Sequence, residues 1–156
     1  MTDPIALGST IGILGGGQLG RMLSVAAARL GFKTHIFEPG ANPPAGDVAH
    51  AVTTAPYEDA AALAAFAAAC DVVTFEFENV PTAALDLIEA QVPIRPGREA
   101  LRISQDRLTE KEFLESLGLT VAPFADVPDI AAMEAAVARI GAPAILKTRR
   151  FGYDGK

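Results

Sequence analysis

Short apolar runs alternate with segments of helical periodicity through the first two thirds of the chain. Five of these runs have the length and composition of buried β-strands: residues 11–14, 34–37, 49–52, 72–75 and 92–94. In the first intervening segment the apolar residues recur every three or four positions and Gly31 ends the pattern; these residues are Leu19, Met22, Leu23, Ala26, Ala27 and Leu30. Strands that alternate with helices pair in parallel, because a parallel connection requires a crossover. The sequence therefore predicts an open α/β domain with a parallel sheet.

The pattern changes after Pro96-Gly97, where helices follow one another directly. One helix is predicted around Leu108 and Leu117, and a second is predicted to begin at Asp129. A further strand is predicted at residues 144–147, and a glycine-rich segment follows it. We therefore predict one domain over residues 1–97 and the beginning of another over residues 98–156. We expect the second domain to be truncated, because an unpartnered strand would leave its backbone groups unpaired.

Composition excludes several classes of function. Nineteen acidic against 13 basic residues give a formal charge of −6, which disfavours binding to a nucleic-acid backbone. The single cysteine, Cys70, excludes a disulfide framework or a site with several thiolates. The longest apolar run, residues 60–70, is shorter than the roughly 18–20 residues that cross a bilayer, and the N-terminus does not have the pattern of a secretory signal. We therefore expect a cytoplasmic protein that binds neither nucleic acid nor membrane.

Gly15, Gly17 and Gly20 form a G-x-G-x-x-G pattern between the first predicted strand and helix. Such a turn lets a ligand approach the amides at the start of a helix. Glu38 ends the second strand, where a dinucleotide-binding protein places its ribose-binding acid, so an NAD(P)-binding oxidoreductase is one interpretation. The alternative is that these glycines only allow the strand and helix to pack closely.

Two carboxylates follow the fourth predicted strand. If residues 74–79 stay extended, Glu76 and Glu78 lie on one face, about 6–7 Å apart, and Phe75 and Phe77 lie on the other. Ligands of open parallel sheets bind at the carboxyl ends of the strands, so these acids could accept hydrogen bonds from a substrate amine or ribose hydroxyl. The alternative is a solvated strand end.

Cations are concentrated at the C-terminal end of the given sequence, at Lys147, Arg149, Arg150 and Lys156. At the end of an apolar strand, Lys147 would have a packed stem and an ammonium presented to one place, as phosphate binding requires. Gly152 and Gly155 allow the adjoining backbone to donate amides to phosphate oxygens. Arg107, near the start of a helix, could face a phosphate or simply lie on the surface. The alternatives are a solvated basic loop or an anion-binding module without catalysis.

Four segments together resemble one family of enzymes. They are GGGQLGRM at residues 15–22, TFEFENV at 74–80, DRLTEK at 106–111 and GYDGK at 152–156. In order and spacing they resemble the 5-(carboxyamino)imidazole ribonucleotide synthase family of ATP-grasp ligases. The resemblance implies a Rossmann-like pre-ATP-grasp domain followed by the start of an ATP-grasp domain. It also implies a homodimer.

The activity that the resemblance implies is an ATP-dependent carboxylation in purine biosynthesis. ATP would phosphorylate bicarbonate, and the carboxyphosphate would carboxylate the amine of 5-aminoimidazole ribonucleotide. Magnesium would bridge the phosphates through ligands beyond residue 156, so we expect residues 1–156 by themselves to be inactive. By position, the implied ATP contacts are Arg107, Lys147, Gly152, Tyr153, Asp154, Gly155 and Lys156. The implied contacts to the ribonucleotide are Gln18, Leu19, Glu76, Tyr153 and Lys156. The catalytic residue is left unassigned.

Overall fold

The computed structural model describes residues 4–152 of the chain. The chain divides into two compact units, Met1–Arg98 and Glu99–Lys156. Each unit is described by itself.

A parallel sheet of four strands forms the centre of the first unit. The strands are β1 (Thr10–Leu14), β2 (Lys33–Phe37), β3 (Ala51–Thr53) and β4 (Val72–Phe75), in the spatial order β3-β2-β1-β4. Leu14 pairs with Phe37 on one side and with Phe75 on the other, so three strands end at the same level. The predicted parallel sheet is confirmed.

Two α-helices and a short 3-10 helix connect these strands, and a third α-helix follows β4. They are α1 (Gln18–Arg29), the 3-10 helix Pro44–Asp47, α2 (Ala60–Ala68) and α3 (Thr82–Glu89). The core consists of fully buried side chains from the sheet and from α2 and α3, which include Ile13, Leu14, Ile36, Phe37, Leu63, Phe66, Val73, Leu85 and Ile88. The rings of Phe37 and Phe66 meet edge to face, with their centroids 5.4 Å apart. Burial of these apolar side chains is the main force that holds the helices on the sheet.

The helix predicted from the spacing of apolar residues is observed as α1, and its small residues face the sheet. Its buried residues are Gly20, Ser24 and Ala27, whereas Met22 and Leu30 are 66% and 67% exposed. The helix lies so close to the end of β1 that a Cβ atom on Gly20 would be 2.8 Å from the carbonyl oxygen of Gly15. Only small residues fit at that separation, so the large apolar side chains of this helix point elsewhere.

The predicted fifth strand is reduced to a single bridge. Ile94 pairs in parallel with Val73, through one hydrogen bond from Val73 N to Pro93 O (2.9 Å) and one from Arg95 N to Val73 O (2.8 Å). Proline has no backbone N–H group and cannot donate to a ladder. Pro93 and Pro96 therefore limit this pairing to one residue.

The second unit contains helices that begin at aspartate caps. Helix α4 (Arg98–Ser104) starts at the last residue of the first unit, and α5 (Arg107–Ser116) and α6 (Ile130–Ile140) follow it. Asp106 accepts hydrogen bonds from the amides of Leu108 and Thr109, and Asp129 accepts one from the amide of Ala132. These carboxylates satisfy amides that a helix leaves unpaired at its first turn.

The predicted strand at residues 144–147 is wrong for the part of the chain that the structure describes. These residues belong to no strand, and Ile145 and Leu146 are 81% and 69% exposed. A strand exists only where a neighbouring strand exchanges backbone hydrogen bonds with it. Residues 99–152 contain no such neighbour. Lys147 is accordingly exposed, and its expected packed stem is not observed.

We predict that Gly12→Ala destabilises the first unit. A Cβ atom at this position in β1 would lie 2.7 Å from Phe66 Cζ and 2.8 Å from Cys70 Sγ, so the packing of α2 on the sheet must shift. Overpacking of this kind costs about 1–3 kcal/mol. Urea unfolding followed by circular dichroism measures the loss.

The control is Gly97→Ala, because a Cβ atom at Gly97 meets nothing within 4 Å. We expect its free energy of unfolding to be unchanged or slightly raised. Equal effects of the two substitutions would contradict the proposed contact.

Candidate functional site

The turn between β1 and α1, residues 15–17, lies at the carboxyl edge of the sheet. Gly15 has φ +104°, a conformation that residues with a side chain rarely adopt, and a Cβ atom there would lie 2.9 Å from Glu76 Cγ. The carbonyl oxygen of Gly15 also lies against Gly20, as described above. The glycines of the motif therefore do allow close packing of strand and helix, as one of the sequence interpretations held.

Two carboxylates of the protein bind the amides of this turn. Glu38 Oε2 accepts a hydrogen bond from Gly16 N (2.8 Å), and its Oε1 accepts another from Gly40 N (3.0 Å). Glu76 Oε1 accepts a hydrogen bond from Gly17 N (2.8 Å). Negative charge is favoured at the start of a helix, where free amides and the helix dipole create a positive potential. Here the side chains of the protein supply that charge.

This geometry gives no support to a dinucleotide at the turn. The amides of Gly16 and Gly17, which would face a pyrophosphate, are engaged by Glu38 and Glu76. Glu38 is folded back onto the turn, and its position at the end of β2 was the reason for the dinucleotide interpretation. A carboxylate offers about four acceptor positions, so both acids can still accept hydrogen bonds from hydroxyl or amine groups. The turn is thus suited to a ligand that donates hydrogen bonds.

The extended conformation assumed for residues 74–79 ends at Phe75. Strand β4 ends at Phe75, Glu76 lies in a bend, and Glu78 and Asn79 form a turn, so the segment is not extended as the two-residue period assumed. Val80 directly after this turn is fully buried. Burying Val80 requires the chain to turn inward, and a pattern of alternating residues does not reveal this change.

Tyr57 is a residue of this region that the sequence did not indicate. Its ring stacks on Phe37, with the centroids 5.5 Å apart, and its buried hydroxyl has no hydrogen-bond partner among residues 4–152. Burial, and then the negative charges of Glu38 and Glu76, raise the pKa of Tyr57 above its ordinary value of 10.0. The hydroxyl therefore keeps its proton. No motif surrounds Tyr57, so only the fold reveals its place beside these acids.

The three predicted ribonucleotide contacts of the first unit do come together. Gln18 and Leu19 are exposed in the first turn of α1, and they directly follow Gly17, the residue that Glu76 binds. All three side chains lie at the carboxyl edge of the sheet. This is the edge at which open parallel sheets bind ligands.

In the second unit, Arg107 and Gly152 are in contact. The Arg107 side chain donates a hydrogen bond from Nη2 to the carbonyl oxygen of Gly152 (2.9 Å), and its backbone amide donates to the carbonyl oxygen of Arg149 (3.0 Å). Lys147 is exposed. The other predicted contacts, Tyr153, Asp154, Gly155 and Lys156, lie outside the described residues. The structure thus brings one pair of the predicted ATP contacts together.

Two of the clustered cations are already bound by side chains of the protein. Arg149 forms an ion pair with Asp106 (Nη2 to Oδ2, 2.9 Å), and Arg150 donates to Gln105 Oε1 (2.8 Å). The hypothesis of an anion site at this cluster therefore narrows, among its members within residues 4–152, to Lys147. The sequence gave no signal for these pairs, because more than forty residues separate the partners.

The ion pair lowers the pKa of Asp106 below its ordinary value of 3.8, chiefly through the hydrogen bond from Arg149. The same hydrogen bond raises the pKa of Arg149. The pair's contribution to stability is therefore complete above the ordinary pKa of a carboxyl group. It is lost only as the pH falls through the lowered value.

A metal site is not formed by the described part of the chain. Among residues 4–152, no group of three His, Cys, Asp or Glu side chains could hold a metal ion. The residues present thus do not fit a magnesium site, and the roles proposed below do not involve the metal. In the same range, no helix has both the length and the apolar character needed to cross a membrane.

Comparison with protein families matches both units. Residues 8–105 match the ribonucleotide synthetase preATP-grasp domain, and residues 112–156 match the ATP-grasp domain. The chain is 54% identical over 149 residues to the N5-carboxyaminoimidazole ribonucleotide synthase of Brucella melitensis, covering 96% of this chain and 41% of that protein. The chain thus spans well under half the length of this relative.

Two solved structures show similar architecture. The N5-carboxyaminoimidazole synthetase of Staphylococcus aureus, complexed with ADP, is 43% identical with a TM-score of 0.89, over 97% of this chain and 41% of that one. The corresponding synthase of Aspergillus clavatus, in complex with ADP and 5-aminoimidazole ribonucleotide, is 32% identical with a TM-score of 0.79, over 93% and 39%. The fold predicted from the resemblance, a pre-ATP-grasp domain followed by the start of an ATP-grasp domain, is confirmed. The chain belongs to the ribonucleotide synthetase preATP-grasp family, with the beginning of an ATP-grasp domain after it.

Proposed function

We propose that the protein catalyses ATP-dependent carboxylation of 5-aminoimidazole ribonucleotide with bicarbonate, in purine biosynthesis. ATP phosphorylates bicarbonate, and the carboxyphosphate transfers its carboxyl group to the exocyclic amine, giving N5-carboxyaminoimidazole ribonucleotide. The observation that carries this proposal is the alignment of nearly the whole chain with a structure that binds ADP and 5-aminoimidazole ribonucleotide. The carboxylate-lined glycine turn supports it, because that turn is suited to hydrogen-bond donors.

The first unit supplies the ribonucleotide contacts in this proposal. Glu76 is held in place by the amide of Gly17 and keeps acceptor positions for a ribose hydroxyl or an amine. Gln18 and Leu19 lie next to it, exposed at the start of α1. A ligand seated here is oriented by groups that the fold has already fixed, so little ordering is required when it binds.

The second unit supplies ATP contacts in this proposal. They are Arg107, Lys147, Gly152, Tyr153, Asp154, Gly155 and Lys156, and Tyr153 and Lys156 also reach the ribonucleotide. Cations and backbone amides stabilise the charge of the transferring phosphoryl group, since they are oriented before the reaction begins. Exclusion of water protects the labile carboxyphosphate. The contact between Arg107 and Gly152 supports a shared role for these two residues.

Other features implied by the resemblance stay predictions. They are the domain boundary at residue 97, a homodimer, a cytoplasmic location, and magnesium ligands beyond residue 156. An NAD(P)-binding oxidoreductase is not favoured, because the amides that would bind a pyrophosphate are occupied.

We predict that phosphate release from ATP requires bicarbonate and 5-aminoimidazole ribonucleotide together. A coupled phosphate assay on the protein expressed from its complete reading frame measures this dependence, with each substrate omitted in turn. Release at an unchanged rate without the ribonucleotide would contradict the proposal. Saturable enhancement of NADH fluorescence would instead favour the oxidoreductase.

We predict that Glu76→Ala raises the KM for the ribonucleotide by about tenfold or more, with a much smaller effect on the KM for ATP. Steady-state kinetics with one substrate varied at a time measures both constants. Glu76→Gln is the matched control, since the Gln oxygen can still accept the hydrogen bond from Gly17 N. If Glu76 contacts the substrate through its charge, Glu76→Gln also raises the KM for the ribonucleotide. A Glu76→Gln enzyme that behaves as wild type would show that the negative charge of Glu76 is not required for the ribonucleotide.

We predict the opposite selectivity for Lys147→Ala. Loss of a charge-assisted contact to phosphate raises the KM for ATP by about tenfold, while the KM for the ribonucleotide changes little. Lys33→Ala serves as the control, because Lys33 is an exposed lysine at the start of β2, away from the carboxyl edge of the sheet. The same change in both KM values for Lys147→Ala would refute this division of roles.

A further inference from the structure

The start of α5 holds a distant segment of the second unit, residues 149–152. Three consecutive residues take part, each through a different group. Gln105 accepts a hydrogen bond from Arg150, Asp106 binds Arg149, and Arg107 donates to the carbonyl oxygens of Arg149 and Gly152. Residues 149–152 lead directly into the loop that the proposed function assigns to ATP. The start of α5 is therefore the anchor of residues 149–152.

Asp106 is the centre of this anchor, because its carboxylate makes two kinds of contact at once. Oδ1 accepts from the amides of Leu108 (3.0 Å) and Thr109 (3.2 Å), which caps α5. Arg149 Nε lies 3.1 Å from both carboxylate oxygens, and Arg149 Nη2 lies 2.9 Å from Oδ2. An arginine that binds a carboxylate through two nitrogens is fixed in direction as well as distance. The Asp106 side chain is 19% exposed and that of Arg149 is 49% exposed, so the geometry of the contact, rather than exclusion of water, defines the pair.

The backbone of the segment is fixed by the same interaction. Arg149 pairs with Asp106 through its side chain and accepts the amide of Arg107 through its carbonyl oxygen (3.0 Å). The amide of the first residue of a helix has no partner within the helix itself. Here Arg149 occupies that position, so the direction of the chain toward Gly152 depends on the pair.

Asp129 shows that capping a helix does not require such a pair. It caps α6 by accepting the Ala132 amide at 2.8 Å, and no arginine is bound to it among residues 4–152. Both aspartates cap a helix, but in the described part of the chain only Asp106 also binds an arginine side chain. Comparing variants at the two positions therefore separates the effect of capping from the effect of holding residues 149–152.

We infer that Asp106 is a positioning residue for ATP: through Arg149 it fixes residues 149–152 against the start of α5, and so holds Arg107 and Gly152 where they meet the phosphates. This inference rests on the proposed function for the assignment of the loop to ATP. In this inference Arg149 acts through its pair with Asp106. The inference is based on the side-chain and backbone contacts between the start of α5 and residues 149–152.

The test uses Asp106→Asn in the protein expressed from its complete reading frame, with Asp129→Asn as the matched control. Asparagine caps helices as well as aspartate does, so both variants keep their helices. Asp106→Asn removes the nearer of the two negative charges that bind Arg149, and the longer ion pair with Asp126 (Nη1 to Oδ2, 3.6 Å) is kept in both variants. In the absence of any ligand, the rate of hydrogen exchange at the Arg107 amide measures how firmly residues 149–152 are held against the start of α5. Calorimetric titration with a non-hydrolysable ATP analogue, and the KM values for both substrates, report its effect on binding.

We expect Asp106→Asn to accelerate exchange at the Arg107 amide and to weaken binding of the analogue by about ten- to a hundredfold, as expected for misplacement of a binding group by about 1 Å. The KM for ATP rises in parallel and the KM for the ribonucleotide changes less than about twofold. Asp129→Asn leaves all of these values as in the wild type. Equal behaviour of the two variants would overturn the inference.

Failure of the inference and failure of the proposed function give different results. If wild-type protein binds the analogue but releases no phosphate in response to the ribonucleotide, the proposed function fails, and weaker analogue binding by Asp106→Asn still supports the inference. Analogue binding that Asp106→Asn leaves unchanged would overturn the inference by itself. A wild-type protein that does not bind the analogue would overturn both.

Discussion

The close approach of β1 and α1 across the glycine turn is the constraint on which the first unit depends. Gly15 turns the chain with a positive φ, and Gly20 lies against its carbonyl oxygen at a distance that excludes a side chain. This approach places small residues of α1 toward the sheet and leaves Met22 and Leu30 exposed. It also brings the amides of Gly16 and Gly17 within reach of two carboxylates at the ends of β2 and β4. The close approach of β1 and α1 thus determines both which face of α1 is buried and which groups bind the amides of the turn.

Negative side chains at helix starts recur in both units with different consequences. At α1 the charge comes from other strands, and Glu38 and Glu76 engage amides that would otherwise attract a phosphate. At α5 the charge comes from the cap itself, and Asp106 uses the rest of its carboxylate to bind Arg149. The first arrangement creates a surface of hydrogen-bond acceptors, and the second fixes a distant stretch of backbone. Helix N-termini favour negative charge in both units. In the first unit this charge determines which ligands fit the turn, and in the second it fixes the position of residues 149–152.

Local sequence patterns were sufficient to predict the elements that depend on residues a few positions apart. The four strands from residue 10 to residue 75 and the aspartate cap of α6 were predicted, because apolar runs and capping residues act within a few positions. Residues 92–94 and 144–147 have the same apolar character, yet neither forms a regular strand. Prolines limit the first to one bridge, and the second has no neighbouring strand within residues 99–152. Apolar character predicts that a segment prefers burial. Whether the segment also forms a strand depends on whether a neighbouring strand lies beside it.

By itself, the sequence determined the α/β class, the parallel sheet and the family, since motif order and strand–helix alternation are properties of the chain. It also indicated Glu76 for one edge of the sheet, because the carboxyl ends of parallel strands meet there, and the family resemblance added Gln18 and Leu19. Only the tertiary structure decided that Glu38 folds onto the turn, that Tyr57 lies beside the acids, and that Asp106 binds Arg149. These contacts join residues separated by 22 to 43 positions or come from loops without a motif. Side-chain partners at such separations are selected by the path of the folded backbone, which no local pattern specifies.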